Sequence, residues 1–459
     1  MQAVLAIARL TLKAAFRFRL VRVLGVLLAG GVLLLPAVII DDGTARGLTQ
    51  IVLTYALGLI TAVLGLATLW IACGTLARDI EECQIQVVAV KPVARWQIWL
   101  GKWLGIMFLN ALLLGLSTGI VYTQMLWRAR ALPPPQQEVL RNEIFVARSG
   151  VKENLPDLEP EIERVLQERL KNQAVAQMER GAVRKIVRSQ VKARHEVVPP
   201  GAWRIWRIEL GAGKDHLKDR PLFLRTKFFA AERTASDTYV GSWELGSPEA
   251  GRTWRDSRSQ AAETFHEFAV PPNLFDSQGV LMIGFYNQNE TAILFPLEEG
   301  LEVLYPEGGF GPNYLRGVLI LFCWLGLLAA LGLLGASFLS FPVAAFLSLG
   351  VLILAFSTGT MADVIEQGTI REVNHDTGVV DQQNWFDHAT VAVFRGMLQA
   401  VNLVQDFSPV DSLSSGRRIG WVQLARAAGQ IVLLMGGLFA LVGMSILTRR
   451  ELATAQGKT

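Results

Sequence analysis

The sequence predicts an α-helical polytopic membrane protein of about six transmembrane helices with a large extracytoplasmic α+β domain, a long helix followed by a β-sandwich or jelly roll. Three observations predict it. Of 459 residues, 51% are hydrophobic and 18% charged, against about a quarter charged in an ordinary soluble domain. The mean hydropathy is +0.34. The apolar residues gather in long runs, and the charges gather between them, most densely over residues 141–194. These proportions argue against a purely soluble enzyme. The formal charge of +4, from 44 Lys and Arg against 40 Asp and Glu, is too small to argue for a nucleic-acid partner.

The apolar runs are 21–40, 51–73, 98–126, 315–334, 341–356 and 429–447, the fifth being the shortest. About 20 apolar residues cross the hydrocarbon core as a helix, and each central Leu, Ile, Phe or Val favours insertion by about 0.3–0.6 kcal/mol. Orientation follows from basic residues in the short flanks. Arg9, Lys13, Arg17, Arg19 and Arg22 form the N-terminal flank, Arg78, Lys91 and Arg95 follow the second run, and Arg449 and Arg450 follow the last. With six spans these flanks share the cytoplasmic side, both termini included, and the 127–313 segment lies outside. Arg417, Arg418 and Arg426 before the last run pull the other way. The first run has no small-residue cleavage site, which predicts an uncleaved anchor. Before it, Arg9, Lys13 and Arg17 form a stripe beside Leu5, Leu12 and Phe16. That pattern fits a helix lying on the inner membrane surface or a cytoplasmic extension of the first span. The expected division is 1–126, 127–313 and 314–459.

In the outer segment, Leu158, Ile162, Leu166 and Leu170 recur at four-residue steps within 157–195, predicting one long helix with an apolar face. Pro199 and Pro200 end it. β-rich runs follow at 203–210, 222–229, 238–245, 264–270, 280–287 and 292–295, separated by Gly, Pro and Asp, as in a sandwich. Trp203, Trp206, Trp243, Trp254, Phe265, Phe268 and Tyr286 form either a sugar-stacking face or, more in keeping with two packed sheets, the core between them. His195, His216 and His266 lack ligand-like spacing, so no metal is expected. Cys73, Cys83 and Cys323 lie in or beside apolar segments, leaving no disulfide for the outer domain. Asn289-Glu290-Thr291 fits the glycosylation triplet, which has meaning only in a secretory pathway.

The functional signal lies in residues 78–105. An acidic turn, with Arg78, Asp79, Glu81 and Glu82, leads through Cys83-Gln84 to Lys91, Pro92 and Arg95, and then Leu100-Gly101-Lys102 opens the third apolar run. A polar helix end plus a Pro hinge joining two spans is a lever, because packed helices move as units. The plain alternative is a solvated cytoplasmic loop. At these residues the chain resembles permease subunits of ATP-binding-cassette transporters of the second exporter type. Arg449-Arg450-Glu451-Leu452 after the last span adds to the likeness, whereas Cys83-Gln84 stands where the family usually has Gly-Thr. The resemblance covers the membrane parts only, and a large insert between the third and fourth spans is not part of the common family plan.

The resemblance implies that Arg78, Asp79, Glu81, Glu82, Lys91, Pro92, Arg95 and Lys102 couple to a separate cytoplasmic ATPase that holds ATP and Mg2+. It also implies a homodimer or a pairing with a second permease in a bacterial inner membrane. No cofactor is expected on this chain: Gly213-Lys214 is followed by Asp215, and Ile208 occupies the place of the first glycine of a phosphate-cradling loop. No Ser-centred elbow, His-Glu-x-x-His or motif-placed carboxylate pair points to catalysis. Residues 360–427 form a long loop in which Val391, Phe394, Leu398 and Val401 predict an amphipathic helix over 387–404. It either dips into the membrane, as in the resembled family, or packs on the outer domain. The expected function is a transport permease, one rival being a non-transporting receptor that binds a glycan, lipid, protein or other envelope component. A third reading joins them, with ATP-driven force delivered to the outer domain and nothing crossing.

Overall fold

The computed structural model describes residues 2–17, 19–38, 44–84, 93–155, 157–170, 180–211, 217–233, 236–247, 251–367, 385–405 and 407–450. In chain order the first helices are α1 (Gln2–Arg17), α2 (Arg19–Val38), α3 (Ala45–Glu81), α4 (Arg95–Arg130) and α5 (Pro134–Val139). Then come α6 (Glu159–Leu170) and α7 (Arg180–Glu196). The chain continues as α8 (Phe310–Ala336), α9 (Phe341–Phe356), α10 (Thr358–Gln367), α11 (Trp385–Gln405), α12 (Pro409–Ser414), α13 (Trp421–Ala427) and α14 (Gly437–Arg449). A π-helical stretch, Ala428–Gly436, joins the last two. The chain divides into two compact units, one of Met1–Ala147 with Gly308–Thr459 and the other of Arg148–Glu307. The helical unit therefore takes both flanks of the expected 127–313 segment.

Over the described residues all six apolar runs are helical, as a backbone in hydrocarbon must be to satisfy its own N–H and C=O groups. Among the described residues four stretches are long and apolar enough to cross a membrane alone: Ile51–Glu81, Arg95–Arg130, Phe310–Ala336 and Trp421–Arg449. α1 and the apolar part of α2 meet at 70° and make a fifth if the bent pair is one span. α9 is apolar but only 16 residues long. The amphipathic pattern read over 387–404 lies within α11.

The second unit begins with α6 and α7, which correct the expectation of one long helix over 157–195. The apolar stripe of α6, with Ile162 and Leu166 buried, meets a second stripe of Val183, Val187 and Val191 on α7. A single straight helix would leave both stripes in water, and folding back buries each against the other. Hydrogen bonds from Arg184, at 2.9 Å, and from Arg188 hold the Glu159 carboxyl below its usual range. His195 does the same for Glu161 across 3.0 Å.

Among the described residues eleven strands follow the order β1 (Val146–Val151), β2 (Val197–Val198), β3 (Trp203–Glu209), β4 (Leu222–Lys227), β5 (Phe229–Ala230) and β6 (Thr238–Ser247), then β7 (Arg252–Ala261), β8 (Phe265–Val270), β9 (Val280–Asn287), β10 (Ile293–Leu294) and β11 (Leu301–Gly309). They form sheets ordered β1-β11-β4-β8, β3-β9-β6-β7 and the short β2-β10-β5. The two four-stranded sheets contribute Leu222, Leu224 and Phe268, and Trp206, Trp243 and Phe285, to one shared core. Phe295 sits among these rings, 4.9 Å from Phe285 and 5.1 Å from Trp206. Of the aromatic run Trp206, Trp243 and Phe268 are core and Trp254 packs against them, whereas Trp203 and Phe265 are exposed, because alternation along antiparallel strands sends every second side chain inward.

In the helical unit, close helix contacts are made at glycines. Gly101 and Gly105 lie four residues apart on one face of α4, where α1 crosses. A Cβ at Gly105 would lie 2.7 Å from Thr11 Cβ and 2.8 Å from the Ala8 carbonyl oxygen. One at Gly101 would lie 2.7 Å from Ile7 Cβ. Small residues at such spacing let backbones approach, which is how helices gain packing where burial from water drives nothing. At Gly115, in the same helix, a Cβ would meet nothing within 4 Å. Gly105→Ala should therefore destabilise the chain in detergent by about 1–3 kcal/mol through overpacking. Gly115→Ala should be neutral or stabilising by up to about 1 kcal/mol. Thermal unfolding of the two variants checks the contrast, and equal effects would contradict this packing of α1.

Candidate functional site

The elbow between α3 and α4 gathers most of the charges singled out in the sequence. α3 ends at Glu82, whose N–H donates 2.8 Å to the Arg78 carbonyl, while the Cys83 N–H donates 3.2 Å to the Ile80 carbonyl. Cys83 then takes φ 58°, a left-handed conformation that stops a helix and costs a non-glycine residue about 1 kcal/mol or more. Lys91 and Pro92 lie outside the described residues. α4 starts after Ala94, whose N–H donates 3.1 Å to the Gln97 side chain.

Lys102 is the innermost charge. Its side chain is 8% exposed, and its ammonium donates 2.8 Å to the Thr75 carbonyl and pairs with Asp79, which is 34% exposed. A charge this far from water needs an opposite partner and filled hydrogen bonds. The pair therefore fixes α4 to the last two turns of α3.

Two further charges close helix ends. Arg95, seven residues before Lys102, donates 2.7, 2.8 and 2.6 Å to the carbonyls of Leu447, Thr448 and Arg450. These are orphan acceptors at the carboxyl end of α14, where a cation is favoured by both hydrogen bonding and the helix dipole. Glu81 accepts 2.8 Å from the Phe341 N–H at the amino end of α9, the complementary case. Arg450 in turn donates 3.2 Å to the Ser337 carbonyl beyond α8. Arg78 lies 4.5 Å over the Phe341 ring, a contact worth about 0.5–1 kcal/mol at an exposed site. Trp70 meets the same ring edge-on at 5.1 Å.

The result is a belt in which the ends of α3, α4, α8, α9 and α14 are tied together by charge-assisted bonds. Asp79, Glu81, Arg95 and Lys102 direct their polar groups into the chain. Glu82, Cys83 and Gln84 face outward, with Gln84 donating 2.6 Å to Glu82. Sequence reasoning identified the charges but missed their backbone partners, Thr75, Ser337, Phe341 and 447–450. Only the dense apolar flanks of 341 and 447 hinted that helix ends would need closing there. Beside the belt lies a groove of about 900 Å³ lined by α1, α3, Lys102 and Phe341.

Among the described residues no three His, Cys, Asp or Glu side chains gather as a metal site. His266 Nε2 donates 2.7 Å to the Ala261 carbonyl and lies 2.9 Å from the Thr264 hydroxyl. His216 and the Gly213-Lys214 pair lie outside the described residues. The Asn289 amide donates 2.8 Å to the Val240 carbonyl. Neither a family model, nor a curated protein, nor a solved structure matches the chain.

The belt's central pair is testable by a mutant cycle. Asp79→Leu leaves the Lys102 ammonium buried with one carbonyl for company and should cost about 3 kcal/mol. Asp79→Leu combined with Lys102→Met removes both charges and should recover most of that loss. Chemical unfolding in detergent measures it; a double variant as unstable as the single one would contradict the pairing.

Proposed function

We propose that the chain is the membrane permease subunit of an ATP-binding-cassette assembly, moved by separate ATPase subunits that hold ATP and Mg2+. What carries this reading is the belt at the α3–α4 elbow. Its charges are spent tying helix ends to one another, so the exposed turn at Glu82 is mounted on a rigid frame that reaches four other helix ends. Packed helices shift as discrete units and do not bend continuously. A load on the turn would therefore tilt α3, α4, α9 and α14 together, which a solvated linker would not do.

In this reading Asp79, Glu81, Arg95 and Lys102 are the frame, and Arg78 clamps α9 through Phe341. Glu82, together with the Lys91 and Pro92 segment, is the part that meets the ATPase. The elbow and both termini face the cytoplasm of a bacterial cell, the Arg148–Glu307 unit lies outside, and two permease chains act together. A closed oligomer of two copies presents one elbow to each of two ATPases. The motion either exports a substrate or delivers force to the outer unit, since one lever serves both.

Cys83 offers a native reporter, because it is exposed while Cys73 and Cys323 are buried. A bifunctional thiol reagent applied to inverted membrane vesicles should join Cys83 to a chain with ATPase activity, and ATP hydrolysis should rise when that partner and the permease are reconstituted together. Labelling of Cys83 by an impermeant maleimide added outside intact cells would overturn the arrangement.

A further inference from the structure

Sheet β3-β9-β6-β7 turns one face to the aromatic core and the other to solvent. Register places two rows across the outward face. One runs Trp203, Tyr286, Ser242 and Ser257, and the next runs Ile205, Gly284, Glu244 and Arg255. Trp203 is 52% exposed, whereas Trp206 and Trp243 on the same sheet are 3% and 1% exposed. The indole of Trp203 stays outside and lies beside Tyr286, with ring centroids 5.1 Å apart. Gly284 makes this possible: a Cβ there would come within 3.3 Å of the indole. The missing side chain lets the ring settle against the strand and hold a fixed platform.

Polar groups flank the platform. Ser242 and Ser257 hydroxyls lie 3.5 Å apart, and Gln288 donates 2.8 Å to Ser242. Arg255 pairs with Glu244 at 2.9 Å, and Arg258 pairs with Asp256 at 2.6 Å. Each charged side chain lining the cleft of about 460 Å³, Glu244, Arg255 and Asp256, is thus already paired, Asp256 with Arg258 from outside the lining, which favours a neutral ligand over an anion or a cation. A carboxylate bonded once still has lone pairs to accept hydroxyl protons, and a guanidinium has spare donors. An aromatic face is electron-rich and attracts the polarised C–H groups of a sugar ring. One aromatic platform with a few converging polar groups is the composition of a small-molecule site.

We propose that this outward face binds a neutral hexopyranose chain, one ring stacking on Trp203 and Tyr286 while Ser242, Ser257, Glu244 and Arg255 bond its hydroxyls. The binding is independent of the ATPase lever, so either proposal can fail alone.

The test uses the full-length chain in nanodiscs, titrated with cellohexaose, chitohexaose and mannohexaose, and with a sulfated hexasaccharide and an unstructured peptide for comparison. At least one neutral oligosaccharide should bind saturably below about 1 mM. Trp203→Ala should weaken that binding about tenfold or more, equivalent to 1.4 kcal/mol, and Glu244→Gln should weaken it as well. Phe265→Ala, an exposed ring on the other sheet, should leave it unchanged. Thermal unfolding establishes that each variant is folded; should Trp203→Ala fail, Tyr286→Ala and Trp203→Phe decide, the first losing binding and the second keeping it within about threefold. Absence of binding by all three neutral sugars would overturn the proposal. So would binding indifferent to the platform variants, or a preference for the sulfated sugar or the peptide.

Discussion

The ammonium of Lys102 is almost wholly removed from solvent, and its charge is balanced by Asp79, which stands against it. That pair decides where the polar end of the helical unit lies. With α4 held to the last turns of α3, the end of α3 and the start of α4 lie at the same end of the unit. Arg95, two turns below Lys102 on α4, is then delivered to the open carbonyls that end α14. Glu81, two residues beyond Asp79, reaches the open N–H that begins α9. Each contact satisfies groups that a helix end cannot satisfy for itself, and in an apolar surrounding those groups have few alternatives.

The two units solve the same problem differently. The helices approach at Gly101, Gly105 and Gly332, where a Cβ would collide with Ile7, Thr11 and Ala72 respectively. Such contacts gain dispersion without any water to expel. The second unit works in water and buries rings, with Trp206, Trp243, Phe268, Phe285 and Phe295 filling the space between sheets. Against that background Trp203 is a large apolar side chain kept outside, as Ile205 and Phe265 are, on a strand that sends Trp206 inside. The two rings are three residues apart, an odd step, so alternation along the strand puts them on opposite faces.

Hydropathy made the helices of the first unit readable, because an apolar run of sufficient length has only one way to satisfy its backbone in a membrane. It was less informative about the number of crossings, since α9 is apolar but short and α2 is bent away from α1. Periodicity found the apolar stripe at Ile162 and Leu166 but could not tell that its partner lay at Val183 to Val191 in the same segment. Strand β7 escaped notice because Arg252–Ala261 carries polar residues on both alternations, being stabilised on one side by β6 alone. The charges of the elbow were legible as a cluster. Their roles were not, because the atoms that receive Arg95 are backbone oxygens, the first 352 residues away, and a carbonyl has no signature in sequence. Lys91 and Pro92, read as the hinge, lie outside the described residues.

The central claim is that the helix ends around the elbow form one mechanical body. Native-state hydrogen exchange of the full-length chain in nanodiscs addresses it directly, by comparing opening free energies at the last turns of α3 and α14 and the first turn of α9. The account predicts a common opening free energy at all three places and a joint loss of protection when Arg95 is replaced by Ala. Independent opening of the three ends, with Arg95→Ala felt only at α14, would contradict it.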